Sequence, residues 1–278
     1  RVGVTYSIRP EIALFASAAL ASREPRLKTL YDGEEAGSGS LPQFALNPDG
    51  SLNLNKPFVK PERVLDVEVG NTITKGRIRT SATLFMMAFK DEIVPSGGLD
   101  QFGIPRTGNA ERTMHIGLEL EADLRIGRHL DGFGSATISR NRFVEFAEFG
   151  SVGNEVVAVE RDGNPIAGFP DHIANLGITL HNERASLSVS GRYVGRQFID
   201  NAGLNNTDRS NQVEPHFLAN ANFRYSFGGI VDGLQLSLDV NNIFDTKALE
   251  FGNVGFGTPQ FYPAATRNLF FGVRYRVR

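Results

Sequence analysis

The chain has 278 residues with 29 Lys+Arg against 31 Asp+Glu, and this even balance excludes the clustered basic excess of a nucleic-acid-binding surface. It has no cysteine, so a disulfide framework, a thiolate metal site and a cysteine nucleophile are all excluded. Apolar residues make up 41%, low for a filled globular core of this length, while 30 glycines and 21 phenylalanines suit strands, turns and aromatic surfaces.

Strand-like patterning begins at once, over residues 1 to 9 and 11 to 23. The apolar run 12 to 21, IALFASAALA, is far shorter than the roughly 20 residues of a spanning helix. It mimics a signal peptide, with Arg9 ahead and Ala19 and Ala21 at its end, but Pro10, Glu11 and the strand-like VGVTYSIR read against that, and the chain reads as starting inside a structure. Further strands are predicted over 63 to 74, 77 to 92, 111 to 126, 131 to 147, 170 to 181, 184 to 199, 215 to 228, 233 to 246 and 266 to 277. Many of these eleven segments are about 12 to 17 residues long, where ordinary globular strands average about five or six.

The segment IGLELEADLRIG (116 to 127) alternates without a slip. Ile116, Leu118, Leu120, Ala122, Leu124 and Ile126 share one parity; Gly117, Glu119, Glu121, Asp123 and Arg125 share the other. In a soluble sandwich the charged face meets water, whereas in an outer-membrane barrel the oily face meets lipid and the charged face lines the lumen. HFLANANFRYSF sets Phe217, Ala219, Ala221, Phe223, Tyr225 and Phe227 against Asn220, Asn222, Arg224 and Ser226. NLFFGVRYRVR sets Leu269, Phe271, Val273, Tyr275 and Val277 against Asn268, Arg274, Arg276 and Arg278. LFMMAFK (84 to 90) is apolar on both parities and 131 to 147 is irregular, so these two are expected to bury a face against a plug or loop. Phe143, Phe146, Phe149, Phe198 and Phe217, near strand ends, are expected in interfacial girdles, although Trp, a favoured girdle residue, is absent.

Connections alternate in size. Short turns fall at Ile8 to Pro10, 74 to 77, 127 to 132, 181 to 184 and 228 to 233; long loops fall near 24 to 62, 93 to 110, 148 to 169, 200 to 214 and 247 to 265. Short periplasmic turns opposite long extracellular loops are a property of outer-membrane barrels.

Five motifs, in order, resemble those of the TonB-dependent outer-membrane receptors. KPERVLDVEVG (60 to 70) resembles the family's Lys-Pro-Glu then Glu-x-Gly, and NAERTMHIGLELEADL its Asn-Ala then Gly-x-Glu-x-Glu, on Gly117, Glu119 and Glu121. IAGFPDHIANLGI resembles the Gly-x-Pro-x-His segment, SGRYVGRQFID its Arg-Tyr-x-Gly neighbour, and LDVNNIFDTKA with FYPAATRNLFFGVRYRVR the Asn-Leu-Phe-Asp turn and final strand. The resemblance covers nearly the whole chain. It implies an all-β, antiparallel, up-and-down transmembrane β-barrel portion spanning 1–278, about 11 strands of a 22-stranded barrel, corresponding to its C-terminal half. Two departures stand out: Val277 and Arg278 occupy the end where the family usually closes on an aromatic, and neither a plug domain nor a TonB-contacting segment is among these residues.

The resemblance further implies a bacterial outer-membrane receptor taking up a scarce, bulky nutrient, a ferric siderophore first, with outer-membrane lipid, the TonB complex and a small-molecule or metal-chelate ligand as partners. A passive porin or secretion pore and a soluble glycan-binding β-sandwich are the alternatives. No cofactor and no catalytic constellation is expected. His115, His129, His172, His181 and His216 read as scattered turn or strand-end residues without metal-ligand spacing. NPDGSLNLN (47 to 55) has the oxygen-rich look of a calcium loop but lacks its spaced carboxylates and closing Glu, and reads as a solvated Asx turn. GNVGFGTPQFYP (252 to 263) lacks the following helix of a phosphate cradle and reads equally as a binding loop or a flexible tip. Asn205 to Thr207 matches a glycosylation acceptor without expected meaning. The lumen-facing candidates are Glu119, Glu121, Asp123, Arg125, Arg192, Asn220, Asn222, Arg224, Arg274 and Arg276; they line a ligand path, hydrate the wall or pair with a plug.

Overall fold

The computed structural model describes residues 1–31, 44–99, 105–152, 155–203, 210–255 and 258–276. Eleven antiparallel strands form one sheet in sequence order. They are β1 (Val2–Arg9), β2 (Ile12–Arg23), β3 (Glu62–Lys75), β4 (Ile78–Leu99), β5 (Pro105–Ile126), β6 (Leu130–Glu145), β7 (His172–His181), β8 (Ala185–Val194), β9 (His216–Ser226), β10 (Leu234–Asn241) and β11 (Asn268–Tyr275). Every neighbour in the sheet is a neighbour in sequence, the up-and-down order that alternating short and long connections predict. The two outer strands, β1 and β11, each pair on one side only among the described residues, so these strands form an open wall.

The register divides the wall into two faces. On one, Ala18, Val67, Met86, Ile116 and Arg140 lie in a row, with Ala16, Val69, Leu84, Leu118 and Ile138 in the next. Leu176, Val189, Ala221, Val240 and Leu269 belong to this face on later strands. The face is apolar and open: Leu20 is 80% exposed and Leu84 62%. The other face carries Ser, Thr, Asn and charged side chains. Among the described residues no second sheet packs across the wall as a sandwich requires, because the remaining strands there pair as hairpins or clips within loops.

Three rings on the polar face lie over glycines of the next strand: Phe15 over Gly70, Phe85 over Gly117 and Phe133 over Gly177. A Cβ on Gly117 would stand 2.6 Å from Phe85 Cζ and 2.6 Å from the Ile138 carbonyl oxygen, so the glycine of the Gly-x-Glu-x-Glu motif is there for close approach. LFMMAFK accordingly buries its second parity in part against its own sheet. The 12 to 21 run lies within β2, paired with β3 throughout and with β1 over residues 12 to 18.

Departures from expectation lie at the long-loop end. Strands β4 and β5 extend to Leu99 and from Pro105, turning most of the 93 to 110 loop into sheet. The long loops contain paired segments: Phe44–Leu46 with Leu52–Pro57, Ala147–Val152 with Glu155–Glu160, Gln197–Phe198 with Gln212–Val213, and Leu249–Gly255 with Thr258–Pro263. The last pair makes the 252 to 263 segment a hairpin. Phe143 and Phe146 are not girdle residues. They are 1% and 3% exposed, stack at 4.5 Å between ring centroids, and with Val94, Ala110 and Ile166 form the main buried cluster. Phe198 is also buried, whereas Phe217 stays on the open apolar face; the Phe149 side chain lies outside the described residues, as do Asn205 to Thr207, Val277 and Arg278. Asp49 accepts both the Ser51 amide (2.9 Å) and hydroxyl (2.6 Å), the Asx turn expected at 47 to 55. Among the described residues no helix is long and apolar enough to cross a membrane, which leaves crossing by strands untouched.

Candidate functional site: the polar face and its rim

The polar face follows directly from period 2. Glu119, Glu121, Asp123 and Arg125 oppose Thr83, Ser81, Arg79 and Arg77-proximal backbone on one side, and Thr137, Ser135, Phe133 and Asp131 on the other. Glu121 accepts a hydrogen bond from Ser81 at 3.2 Å. Further round, Arg192 opposes Asn175 and Leu218, Arg224 opposes Ser186 and Ser237, and Arg274 opposes Gln235. Asn222 donates to Asp239, and Asn220 accepts the Asn242 amide at 2.9 Å. Arg276 lies one residue beyond β11, where its amide bonds the Gly233 carbonyl. The structure therefore puts nine of the ten candidates on one face, with Arg276 beyond the end of β11, and does not gather them into a cluster. Glu119, Asp123, Arg192, Arg224 and Arg274 form no ion pair among the described residues.

Carboxylates and guanidiniums both occur along the wall. Asp66, Glu68, Glu119, Glu121 and Asp123 on β3 and β5 stand with Arg79, which opposes Asp123, and Arg125, while Arg192, Arg224 and Arg274 on β8, β9 and β11 stand with Asp239 of β10. Between the two groups Asn175 donates to Ser135 (3.3 Å) and Thr179 bonds Ser188 (2.9 Å). The arrangement can hydrate a passage and meet a charged body.

At the long-loop end the same face changes character, because its polar groups are satisfied. Asp91 adopts φ 54 and re-aims β4, so Lys90 stays on the apolar side while Glu92 turns to the polar side. There Glu92 accepts from Thr113 and meets His115 Nε2 at 3.1 Å; His115 Nδ1 meets Asn141 Oδ1 at 2.8 Å, and Asn141 donates to Ser139 at 3.0 Å. Phe89 and Phe169 pack edge-on to the His115 ring, which is 3% exposed. Beside it Glu62 pairs with Arg23 at 2.7 Å and accepts the Ile93 amide at 2.9 Å. His115 is thus a buried tie between β4, β5, β6 and the following loop, which its position in the sequence does not reveal.

The loops above are joined to each other. Glu148 pairs with Arg161 at 2.6 Å, Asn164 donates to the Asn201 carbonyl at 2.9 Å, and Asn211 donates to Asp200 at 2.8 Å. Ile199 packs against Gly252 of the next hairpin. The Asn-Asn-Ile-Phe-Asp corner closes the last loop. Asn242, at φ 51, donates to the Thr246 and Ala265 carbonyls (3.0 Å each), and Asp245 accepts the Arg267 amide at 2.9 Å. That amide, and then the Lys247 ammonium, hold the Asp245 carboxyl below the usual aspartate range.

At the opposite end two histidines expected to be scattered come together. His129 and His181 have ring centroids 6.4 Å apart, His181 Nε2 meets Asp131 at 3.0 Å, and His129 Nδ1 meets the His181 carbonyl at 3.0 Å. Their separation of 52 positions in sequence hid a contact between the turn leading into β6 and the end of β7. Among the described residues no group of three or more His, Asp or Glu could hold a metal ion.

The family model described as TonB dependent receptor-like, beta-barrel matches residues 1–243. No match was found among curated protein sequences. Among solved structures, the siderophore receptor PiuA from Acinetobacter baumannii superposes with TM-score 0.70 at 15% identity, over 98% of this chain and 35% of that one. The ferric citrate transporter FecA gives TM-score 0.68 at 20% identity, over 98% of this chain and 37% of that one. The copper transporter OprC gives 0.68 at 17%, over 98% and 38%. The chain thus spans little more than a third of the length of these structures, and at these identities the likeness carries the fold. With its sheet order, its two-faced register and the family match over residues 1–243, the chain belongs to the TonB-dependent receptor β-barrel family.

Proposed function

We propose that this chain is part of the wall of a bacterial outer-membrane transporter that takes up a scarce, bulky nutrient, with a ferric siderophore as the first substrate class and energy delivered through TonB. The observation that carries the proposal is the register, which puts a largely apolar face, interrupted on β6 by Arg140 and Arg142, against a polar, charged one. On β5 the apolar parity runs from Met114 to Ile126, twelve steps. At about 3.3 Å per residue and a tilt of roughly 35–45°, this gives about 30 Å of height, close to the hydrocarbon thickness of a bilayer. Lipid then covers Leu84 and Leu120, and Glu119, Glu121, Asp123, Arg192, Arg224 and Arg274 line the passage. The joined long loops form the outer rim where ligand is captured, and the TonB contact and the gate belong to parts of the receptor beyond this chain.

The nature of the cargo draws on the similar structures, which include a siderophore receptor, a ferric citrate transporter and a copper transporter. The test is uptake by the full-length parent receptor in a host lacking its own siderophore receptors, with radiolabelled iron on a panel of catecholate, hydroxamate and carboxylate chelators, plus copper, with and without TonB. The expected result is TonB-dependent uptake of at least one ferric chelate. TonB-independent permeation of small sugars in a liposome-swelling assay, with no chelate taken up, supports the passive pore and overturns the proposal. Absence of the parent from the outer membrane overturns the membrane reading altogether.

A further inference from the structure

At the short-turn end, His129 and His181 stand beside each other, and each ring has one nitrogen engaged and one free. His129 Nδ1 donates to the His181 carbonyl at 3.0 Å, since a carbonyl oxygen only accepts. His181 Nε2 likewise donates to the Asp131 carboxylate at 3.0 Å. These bonds set the tautomers of the neutral rings and leave lone pairs on His129 Nε2 and His181 Nδ1, neither of which has a hydrogen-bond partner among the described residues. A ring anchored through one nitrogen on a backbone carbonyl or a carboxylate, with the other nitrogen open, is how metal-ligating histidines are oriented.

The spacing is compatible with a shared ion. A metal about 2.0–2.1 Å from a ring nitrogen lies roughly 3.2 Å from the ring centroid, so two imidazoles on one ion have centroids about 5 to 6.4 Å apart. The observed separation of 6.4 Å is the wide end of that range. Both rings reach solvent, the His181 side chain being 36% exposed, so they are free to turn toward each other. They open on a pocket of about 390 Å³ lined also by Leu180, Asn182, Ser186 and Phe223, which has room for water.

We infer that His129 Nε2 and His181 Nδ1 bind one divalent transition-metal cation, Cu2+ ahead of Zn2+, with water completing its coordination. Imidazole suits both cations, and in a nitrogen and oxygen site Cu2+ binds the more tightly. Asp131 stays on the far nitrogen of His181 as its orienting partner and is not a ligand. The site therefore has two protein ligands, which agrees with the absence of a three-residue acid and histidine group among the described residues. Bound metal ties the turn into β6 to the end of β7, beside the bond from the His181 amide to the His129 carbonyl at 2.8 Å. The inference goes beyond the uptake reading and does not depend on it, because the site lies at the end of the wall opposite the long loops.

The experiment uses the full-length parent, purified in neutral detergent without a histidine tag and stripped of metal with a chelator. Cu2+ binding is followed by calorimetry and by electron paramagnetic resonance, with Zn2+ as competitor. The wild type is expected to bind Cu2+ with the hyperfine pattern of two imidazole nitrogens. His129→Gln and His181→Gln are each expected to weaken this site at least tenfold and to leave one nitrogen. Asp131→Ala is expected to weaken it about 10- to 100-fold by releasing the His181 ring. The control is His216→Gln: His216 Nδ1 is anchored on the Glu214 carbonyl at 3.2 Å, but no second histidine stands beside it among the described residues, so binding is expected to stay unchanged. Equal Cu2+ binding by the variant with both His129→Gln and His181→Gln, or no Cu2+ binding by the wild type, overturns the inference. Should a variant fail to fold, site-resolved diethylpyrocarbonate labelling of the wild type decides it. Zn2+ is expected to protect His129 and His181 but not His216, and equal labelling of all three with and without Zn2+ overturns the inference.

Discussion

Replacing Leu120 with lysine tests which face of the wall meets lipid. Leu120 lies at the centre of the apolar stretch from Met114 to Ile126, between Ala82 and Ala136 on the flanking strands, and is 40% exposed. A lysine on the lipid side costs about 2–4 kcal/mol at mid-bilayer and about 0–1 kcal/mol near the interface. At 1.36 kcal/mol per tenfold, the central substitution lowers the folding equilibrium roughly 30- to 900-fold. Ile126→Lys, on the same face at the turn end, is expected to lower it less than about tenfold. Glu121→Gln, on the other face, loses one exposed hydrogen bond from Ser81 and is expected to stay within about 0.5 kcal/mol.

The measurement is equilibrium folding of the full-length parent into lipid vesicles under denaturant titration, read by heat-modifiable migration. Depth dependence is the decisive feature. Burial against a protein core also penalises Leu120→Lys, but it gives no reason for the penalty to fade toward Ile126 with bilayer thickness. If Leu120→Lys and Ile126→Lys are equally damaging, or if Glu121→Gln matches Leu120→Lys, the assignment of faces is refuted.

Gly117→Ala should destabilise by about 1–3 kcal/mol in the same titration, because the added Cβ meets the Ile138 carbonyl as well as Phe85; for that reason Phe85→Leu should rescue it only in part, and full rescue would contradict the backbone clash. Glu92→Leu should cost about 1–3 kcal/mol by leaving Thr113 and His115 without their acceptor, and should speed hydrogen exchange in β4 and β5 at the loop end while leaving the Leu120 region protected. The Asp245 carboxyl is depressed in the fold, so its contribution is complete above the ordinary value of 3.8 and is lost as pH falls through the lower folded value. Hydrogen exchange at the Arg267 amide, corrected for intrinsic rate, should therefore accelerate only below that ordinary value, and Asp245→Asn should remove the pH dependence.

The wall was legible because its signal is local. A strand with one oily and one polar face declares its register in its own ten or twelve residues, so β5, β9 and β11 could be read almost side chain by side chain. The rim was not legible, because it is built where alternation breaks. Strict parity gives Lys90 and Glu92 the same face; Asp91 at φ 54 separates them and sends Glu92 to His115. A register shift between Arg112 and Thr113 lies beside Phe143, which with Phe146 turns to the interior although both have the position of girdle residues. The Asn-Asn-Ile-Phe-Asp corner was visible as a resemblance, but its reason, bonds from Asn242 to Thr246 and Ala265, needs the approach to β11, 23 residues further on. His129 and His181 were missed for the same cause, a contact between strands that no local pattern records.

Polar residues consequently do opposite work at two heights of one face. At the rim, Glu62, Glu92, His115, Asn141, Glu148 and Asn242 are buried and bonded, and each bond joins a loop base to a strand or one strand to the next. Such satisfied networks fix geometry and leave little capacity for a ligand. Lower down, Glu119, Asp123, Arg192, Arg224 and Arg274 are exposed and form no ion pair with one another. Unpaired charges on a face this size stay hydrated or meet a body of complementary charge. A receptor needs both properties, since loops that capture a bulky ligand are best held by a rigid base while the passage beneath must release what it admits. Under the proposed function, the division between a buried, bonded rim and a wall carrying exposed charges is therefore what links this fold to uptake.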